Sequence, residues 1–284
     1  MEYRISLTGD IGSGKSTVCN LLVEKCAARK YSSGAKAREV ALSLGIDISQ
    51  QNKVMNSDPR MDLELDNALK QLSFEPGNLI VDSRLAWNFV QGTFKVYFTV
   101  DPAEAGRRIF NEKRSSESFD SAEETMRRGL ERRADEKTRY LKLYGVDCDD
   151  MNNYDIVIDT TAASPEIIAD TVVESYAKWS AGQPYARHYV YAGRMRPLCD
   201  FDGGSADIRL TEYNAAFYIT SGVDAALDSL KNGRPFEPCE VTFYHNMTAQ
   251  QQAEFERLID SLDCRRRLDE WRGLTAPLSA KTFF

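Results

Sequence analysis

A chain of 284 residues is comfortable for two domains, and its 42% hydrophobic and 28% charged residues are those of an ordinary globular protein. A net charge of -7 argues against tight, non-specific nucleic-acid binding, which needs Lys and Arg to neutralise phosphates. No apolar run approaches the roughly 18 residues of a membrane span, the six cysteines form no Cys-x-x-Cys pair, and the first strand begins at once. The expectation is a cytoplasmic protein with reduced thiols, no structural zinc and no signal peptide.

Tyr3 to Thr8 alternates apolar and polar residues and predicts a strand. Gly9-Asp10-Ile11-Gly12-Ser13-Gly14-Lys15-Ser16-Thr17 follows and opens into a helix from Lys15 to about Ala28. Lys30 to Gly34 reads as a short strand closed by a glycine turn, with helices over Ala35 to Leu44, Ile46 to Asn56 and Pro59 to Leu72. Ser57-Asp58-Pro59 is a cap followed by proline at the first helical position. Asn78 to Val81 and Phe94 to Val100 are apolar strands, and Asp101-Pro102 starts a helix running through Arg107, Arg108 and Ile109. The serine-rich stretch Asn111 to Ser121 predicts a mobile loop, Ala122 to Tyr144 a long charged helix, Tyr154 to Asp159 a last strand, and Ser164 to Trp179 a closing helix. Strands alternating with helices over residues 1–182 predict an α/β domain: a five-stranded parallel sheet flanked by helices.

Gln183-Pro184 breaks that rhythm. In 185–284, Arg187 to Arg194, Ala206 to Leu210 and Ala215 to Thr220 predict antiparallel strands with tight glycine turns. Val223 to Lys231 then predicts a helix, Cys239 to Tyr244 a strand, and Thr248 to Leu262 an amphipathic helix. This is an α+β accessory module. Its aromatics, with Arg187, Arg194, Arg196 and Arg265 to Arg267, could stack on nucleic acid; alternate strand positions and balancing acids favour a core. The module is left for dimerisation, docking or regulation, through a homo-oligomer or a protein partner.

Strand, glycine loop, helix is the context of a phosphate-binding loop. Glycines let several backbone N–H groups converge on one anion, and the helix N-terminus adds partial positive charge. Gly12, Ser13, Gly14, Lys15, Ser16 and Thr17 are therefore nucleotide-binding candidates. Lys15 can reach the terminal phosphates, and the Ser16 hydroxyl can ligate Mg²⁺. Asp82, at a strand end, is a second candidate for the metal. Transfer between two phosphates needs cations on both sides of the reacting centre and no histidine base. Both histidines, His188 and His245, fall outside the α/β half. Arg38 and Arg84 follow strand ends, where open α/β sheets bind ligands. Arg132 and Arg139, seven apart, share a helix face with Arg128 and Glu136; the plain alternative is a solvated, ion-paired surface.

Together with Tyr31-Ser32-Ser33-Gly34, Asp58-Pro59 with Asp62 and Asp66, Asp82-Ser83-Arg84-Leu85-Ala86, Arg132-x-x-x-Glu136-x-x-Arg139-Tyr140, Tyr144 to Asp147 and Tyr154 to Thr160, the loop resembles the cytidylate kinase-like P-loop nucleoside monophosphate kinases over about residues 1–182. The resemblance implies that the loop holds ATP with Mg²⁺ and that Ser33, Arg38 and Arg84 face the acceptor. It implies that Lys15, Arg132 and Arg139 act on the transferring phosphoryl group, and that Asp159 to Thr161, with Thr160 as the candidate, lie near the adenine. Arg108 and Arg114 are both candidates for the lid arginine. Asp10-Ile11 departs from the small or proline residues of relatives, and Leu7 to Gly12 is also similar to dephospho-coenzyme A kinases.

The expected enzyme is a soluble kinase acting on a nucleoside monophosphate, CMP or dCMP first. The rivals are a P-loop kinase of another small or modified-nucleotide acceptor and a nucleotide-dependent regulatory protein.

Overall fold

The computed structural model describes residues 2–43, 59–111, 122–201 and 205–279. The helix expected over 46–56 and the loop expected over 111–121, apart from Asn111, lie outside them. By backbone contacts the chain forms two compact units, residues 1–157 with 165–183, and residues 158–164 with 184–284.

In the first unit, β1 (Arg4–Gly9), α1 (Lys15–Lys25), β2 (Arg29–Ser32), α2 (Ser33–Ser43), α3 (Pro59–Leu72), β3 (Leu79–Asp82), α4 (Ala86–Phe89) and β4 (Phe94–Thr99) are followed by α5 (Pro102–Asn111), α6 (Ala122–Tyr144), β5 (Ile156–Asp159) and α7 (Pro165–Ser180). Five strands lie in the order β2-β3-β1-β4-β5. The pairs β2–β3, β3–β1 and β1–β4 are parallel. Both faces are covered, so these strands read as nearly continuous apolar runs: Ile5, Leu7, Ile80, Val81, Phe94 and Val96 are buried. The register sets Ser32 and Leu7 opposite Asp82, and Leu7 opposite Val96. Strand ends from β2, β3, β1 and β4 thus meet along one edge of the sheet, where the loops after them gather.

Two sequence expectations change here. Gly34 does not end β2 in a turn; it sits inside α2, which begins at Ser33. The last strand is shorter than Tyr154 to Asp159, because Tyr154 is a buried core residue of the preceding turn. Its final residues, Ile158 and Asp159, belong with the second unit.

The second unit adds β6 (His188–Val190), β7 (Met195–Pro197), β8 (Ile208–Tyr213), β9 (Ala216–Ser221), α8 (Val223–Lys231), β10 (Glu237–Phe243), α9 (Ala249–Ile259) and α10 (Leu262–Ser279). Its strands lie in the order β6-β10-β8-β9-β7. The arrangement is mixed rather than antiparallel: β10–β8 and β7–β9 are parallel, β8–β9 and β10–β6 antiparallel. β10 reaches β8 only after α8, so no tight turn fixes its direction. The β8–β9 hairpin turns on Asn214 and Ala215, at φ 51° and 60°, not on glycine. Ile208, Leu210, Phe217 and Ile219 pack against Val223, Ala226, Leu227, Leu230 and Trp271. Tyr213, Tyr218 and Tyr244 close a smaller cluster on Leu198, Phe255 and Cys264. Many of the module's aromatics are therefore core, and two of its arginines are paired with acids: Arg194 with buried Asp159, Arg267 with Asp200. Among the described residues no helix is long and apolar enough to cross a membrane.

Candidate active site

β1 ends at Gly9, and the next residues turn the chain into α1. Gly12 and Gly14 stand at φ 78° and 75°. A Cβ on Gly12 would come within 2.8 Å of the Ala105 carbonyl oxygen, so α5 packs against the loop too closely for any side chain. At Gly14 space is open and the backbone conformation alone selects glycine. Ser13 is buried, and its hydroxyl oxygen has no hydrogen-bond partner. α1 begins at Lys15, so its N-terminal amides open on the same loop.

A cleft runs along this loop, bordered by residues 10–17 and by Arg84, Arg108 and Ile109. Lys15 pairs with Asp82. Burial pushes the Lys15 amine below its ordinary value, and the Asp82 carboxylate opposes that shift. Arg84, two residues past β3, donates to the Gly9 carbonyl, and its Nε lies 3.2 Å from a Glu136 carboxylate oxygen on α6. Burial is the strongest influence and works against the Arg84 charge, but Glu136 with Tyr97 and Tyr140 together outweigh it, and the guanidinium is held above its usual range. Arg108 donates through Nε to Glu104 at 2.7 Å and approaches the Gly12 carbonyl at 3.5 Å. Glu104 is buried, which would raise its carboxyl, yet Arg107 and Arg108 hold it below the ordinary carboxylate value. Ser16 is exposed at the cleft. Ser16 and Asp82 present the hard oxygen donors that Mg²⁺ takes, so the residues present fit that ion. Among the described residues no cluster of three or more His, Cys, Asp or Glu is arranged to hold a metal.

The other sequence candidates are dispersed. Arg139 is half-buried with its guanidinium 5.1 Å from the Tyr140 ring centre. It is close enough to Asp66 to oppose the rise that burial gives that carboxyl. Ser33 starts α2 with its hydroxyl oxygen buried and without a hydrogen-bond partner, and Arg38 is exposed. Neither borders the cleft, although β2 delivers both to the edge where Asp82 lies. Thr160 is fully buried in the second unit, and its neighbour Asp159 takes the Arg194 guanidinium and the Tyr191 amide. The side chain of Arg132, and all of Arg114, lie outside the described residues.

One residue of the site escaped sequence reasoning. Arg133, beside Arg132, reaches Asp10 in the loop. Two signals could have found it: an acid in a loop built for anions requires a cation, and Gly129, Arg133, Glu136, Tyr140 and Tyr144 recur at helical spacing.

A family model described as AAA domain matches residues 5–139. A cytidylate kinase from Thermoplasma volcanium is 34% identical over 186 residues, covering 64% of this chain and 95% of that one. One from Thermoplasma acidophilum is 36% identical over 175 residues, covering 58% and 88%. The chain belongs to the cytidylate kinase-like P-loop kinases. As a member of that family it is a nucleotide kinase, with the phosphate loop, Lys15 and Arg84 on one cleft. It is also 31% identical over 183 residues to an S-adenosylmethionine-dependent nucleotide dehydratase from Lacinutrix mariniflava, covering 64% of this chain and 37% of that one.

Proposed function

We propose that this kinase transfers the γ-phosphoryl group of ATP to CMP or dCMP, with Mg²⁺. The observation that carries the reading is the charge around the phosphate loop. Lys15, Arg84 and Arg108 border one cleft; Asp10, which borders it too, is paired with Arg133, and Asp82 with Lys15. Such a wall suits two polyanions brought together. In this reading Lys15 leaves Asp82 for the γ-phosphate, and Arg108 closes on the same charge. Ser16 and Asp82 would hold Mg²⁺, which supplies neutralisation of the phosphate oxygens when bound. Arg84, with Ser33 and Arg38, holds the acceptor, and Arg132 and Arg139 clamp the group in transit. No protein base is needed, because a phosphate whose second pKa is about 6 already offers an anionic oxygen.

The curated relatives named cytidylate kinase support CMP as acceptor. The relative named a nucleotide dehydratase favours a second reading, in which the acceptor is a nucleoside monophosphate modified by loss of water. A coupled assay with ATP against CMP, dCMP, UMP, AMP, a dehydrated cytidylate, shikimate and gluconate decides between them. The expected result is a kcat/KM for CMP or dCMP about tenfold or more above every other acceptor, a gap of about 1.4 kcal/mol. A preference for the modified monophosphate selects the second reading. ATP binding without transfer to any acceptor leaves a nucleotide-dependent regulatory protein.

A further inference from the structure

The helix α6 leans on the phosphate loop at Asp10 and Ile11. A side-chain carbon on Gly129 would stand 3.5 Å from Ile11, in ordinary contact. One turn later Arg133 directs its guanidinium at Asp10, and the same group donates to the Tyr97 hydroxyl and to Asp149 at 2.6 and 3.1 Å. The Tyr97 hydroxyl donates a hydrogen bond to Asp10 at 2.8 Å, and the Val100 amide reaches the other carboxylate oxygen at 3.3 Å. Asp149 is in turn 3.4 Å from Lys137. Asp10 itself borders the phosphate cleft. An uncompensated carboxylate there would oppose any polyanion entering it.

We propose that Arg133 is a positioning residue for the donor phosphates: by neutralising Asp10 and tying α6 to the loop, it makes ATP affinity, and not acceptor affinity, depend on the Asp10–Arg133 pair. The proposal rests on reading the cleft as a nucleotide site. A buried pair with a purely structural role would lower stability when cut and would weaken both substrates alike. A pair that masks a carboxylate from phosphate leaves a different signature, because removing the carboxylate as well repairs the loss.

The test is calorimetric titration of MgATP into the full chain, with melting temperatures and separate KM values for ATP and acceptor, for wild type, Arg133→Met, Asp10→Asn and the double variant. Arg133→Met is expected to weaken ATP about tenfold or more, which is about 1.4 kcal/mol. It should leave the acceptor KM within about threefold, and 0.5 M KCl should narrow the ATP gap. Asp10→Asn should bind ATP at least as tightly as wild type, and the double variant should return to within about threefold of it. Wild-type affinity in Arg133→Met, equal losses for both substrates, or a double variant no better than Arg133→Met overturns the proposal. Should Arg133→Met fail to fold, Arg133→Lys serves: retained ATP affinity supports charge masking, and a loss that Asp10→Asn does not repair overturns it. Wild type that takes up no ATP at all overturns the nucleotide reading, and this inference with it.

Discussion

At Lys15 the competition between burial and charge decides what the site can do. The amine is pushed toward neutrality by burial, and the Asp82 carboxylate it pairs with opposes that push. A cation poised in this way is preorganised for anionic oxygens, and removing a single preorganised donor costs catalysis about 10²–10³-fold. Lys15→Ala is therefore expected to lower kcat by about that factor or more. The fold should persist, because the glycine conformations and the strand register that shape the loop do not depend on the side chain. Near-normal turnover with CMP would remove Lys15 from the chemistry; a lost near-UV dichroism signal would instead show a structural role. The loop, Lys15, Asp82 and Arg84 were legible in the sequence because strand, glycines and helix are local and contiguous. Arg133 was not, because its partner lies 123 residues away and one position separates it from Arg132, the residue that seven-residue spacing favours. The burial of Asp159-Thr160-Thr161 was not legible for a related reason: nothing in that stretch announces that Arg194 will take the Asp159 carboxylate.

At the scale of elements, α6 carries several of the contacts that shape the site. Its outer face holds solvent pairs such as Arg127 with Glu131; its inner face meets the loop at Gly129 and Arg133, Arg84 at Glu136, and the core at Tyr140. At its end the Tyr144 hydroxyl donates to buried Asp66 of α3 at 2.5 Å. Burial raises the Asp66 carboxyl above its ordinary value, against Tyr144, Lys70 and Arg139. The sign follows from linkage. The folded state holds a proton there that the unfolded chain has released, so stability falls as pH rises from the unfolded pKa through the raised folded one. Asp66→Asn keeps an acceptor for Tyr144 without the charge. It should raise the melting temperature at pH 7, with the gain shrinking as pH falls toward 4. Thermal melts of both proteins across that range check it, and a gain independent of pH would exclude ionisation as the cause. Elements were legible where periodicity was strong, as in β1, α3, β4 and α8. They were misread where a turn residue misled, as at Gly34, or where no turn signal existed, as at Asn214 and Ala215. The three-residue β7 is too short to show a period. In α10 the run of Cys264 to Arg267 hid the helical return of Cys264, Leu268, Trp271 and Thr275.

For the whole molecule, the sequence boundary at Gln183-Pro184 and the contact boundary differ by one segment. Residues 158–164 precede α7, yet they are built into the second unit. Asp159 is fully buried there, 3.2 Å from Arg194, and it accepts the Tyr191 amide at 3.1 Å and the Thr161 hydroxyl at 2.5 Å. A buried carboxylate stripped of its cation costs about 3–5 kcal/mol, and the remaining donors put this case at the lower end. Arg194→Met is thus expected to destabilise the second unit by about 3 kcal/mol, measured by urea titration. A cut after residue 183 removes Arg194 and Tyr191 together, so the fragment 1–183 should melt lower than the first transition of the full chain and should be rescued in part by Asp159→Asn. That outcome would make the second unit a required completion of the strand that carries Asp159. A fragment as stable as the full chain would show instead that the kinase unit ends where the sequence first suggests, and that the second unit is a separable passenger.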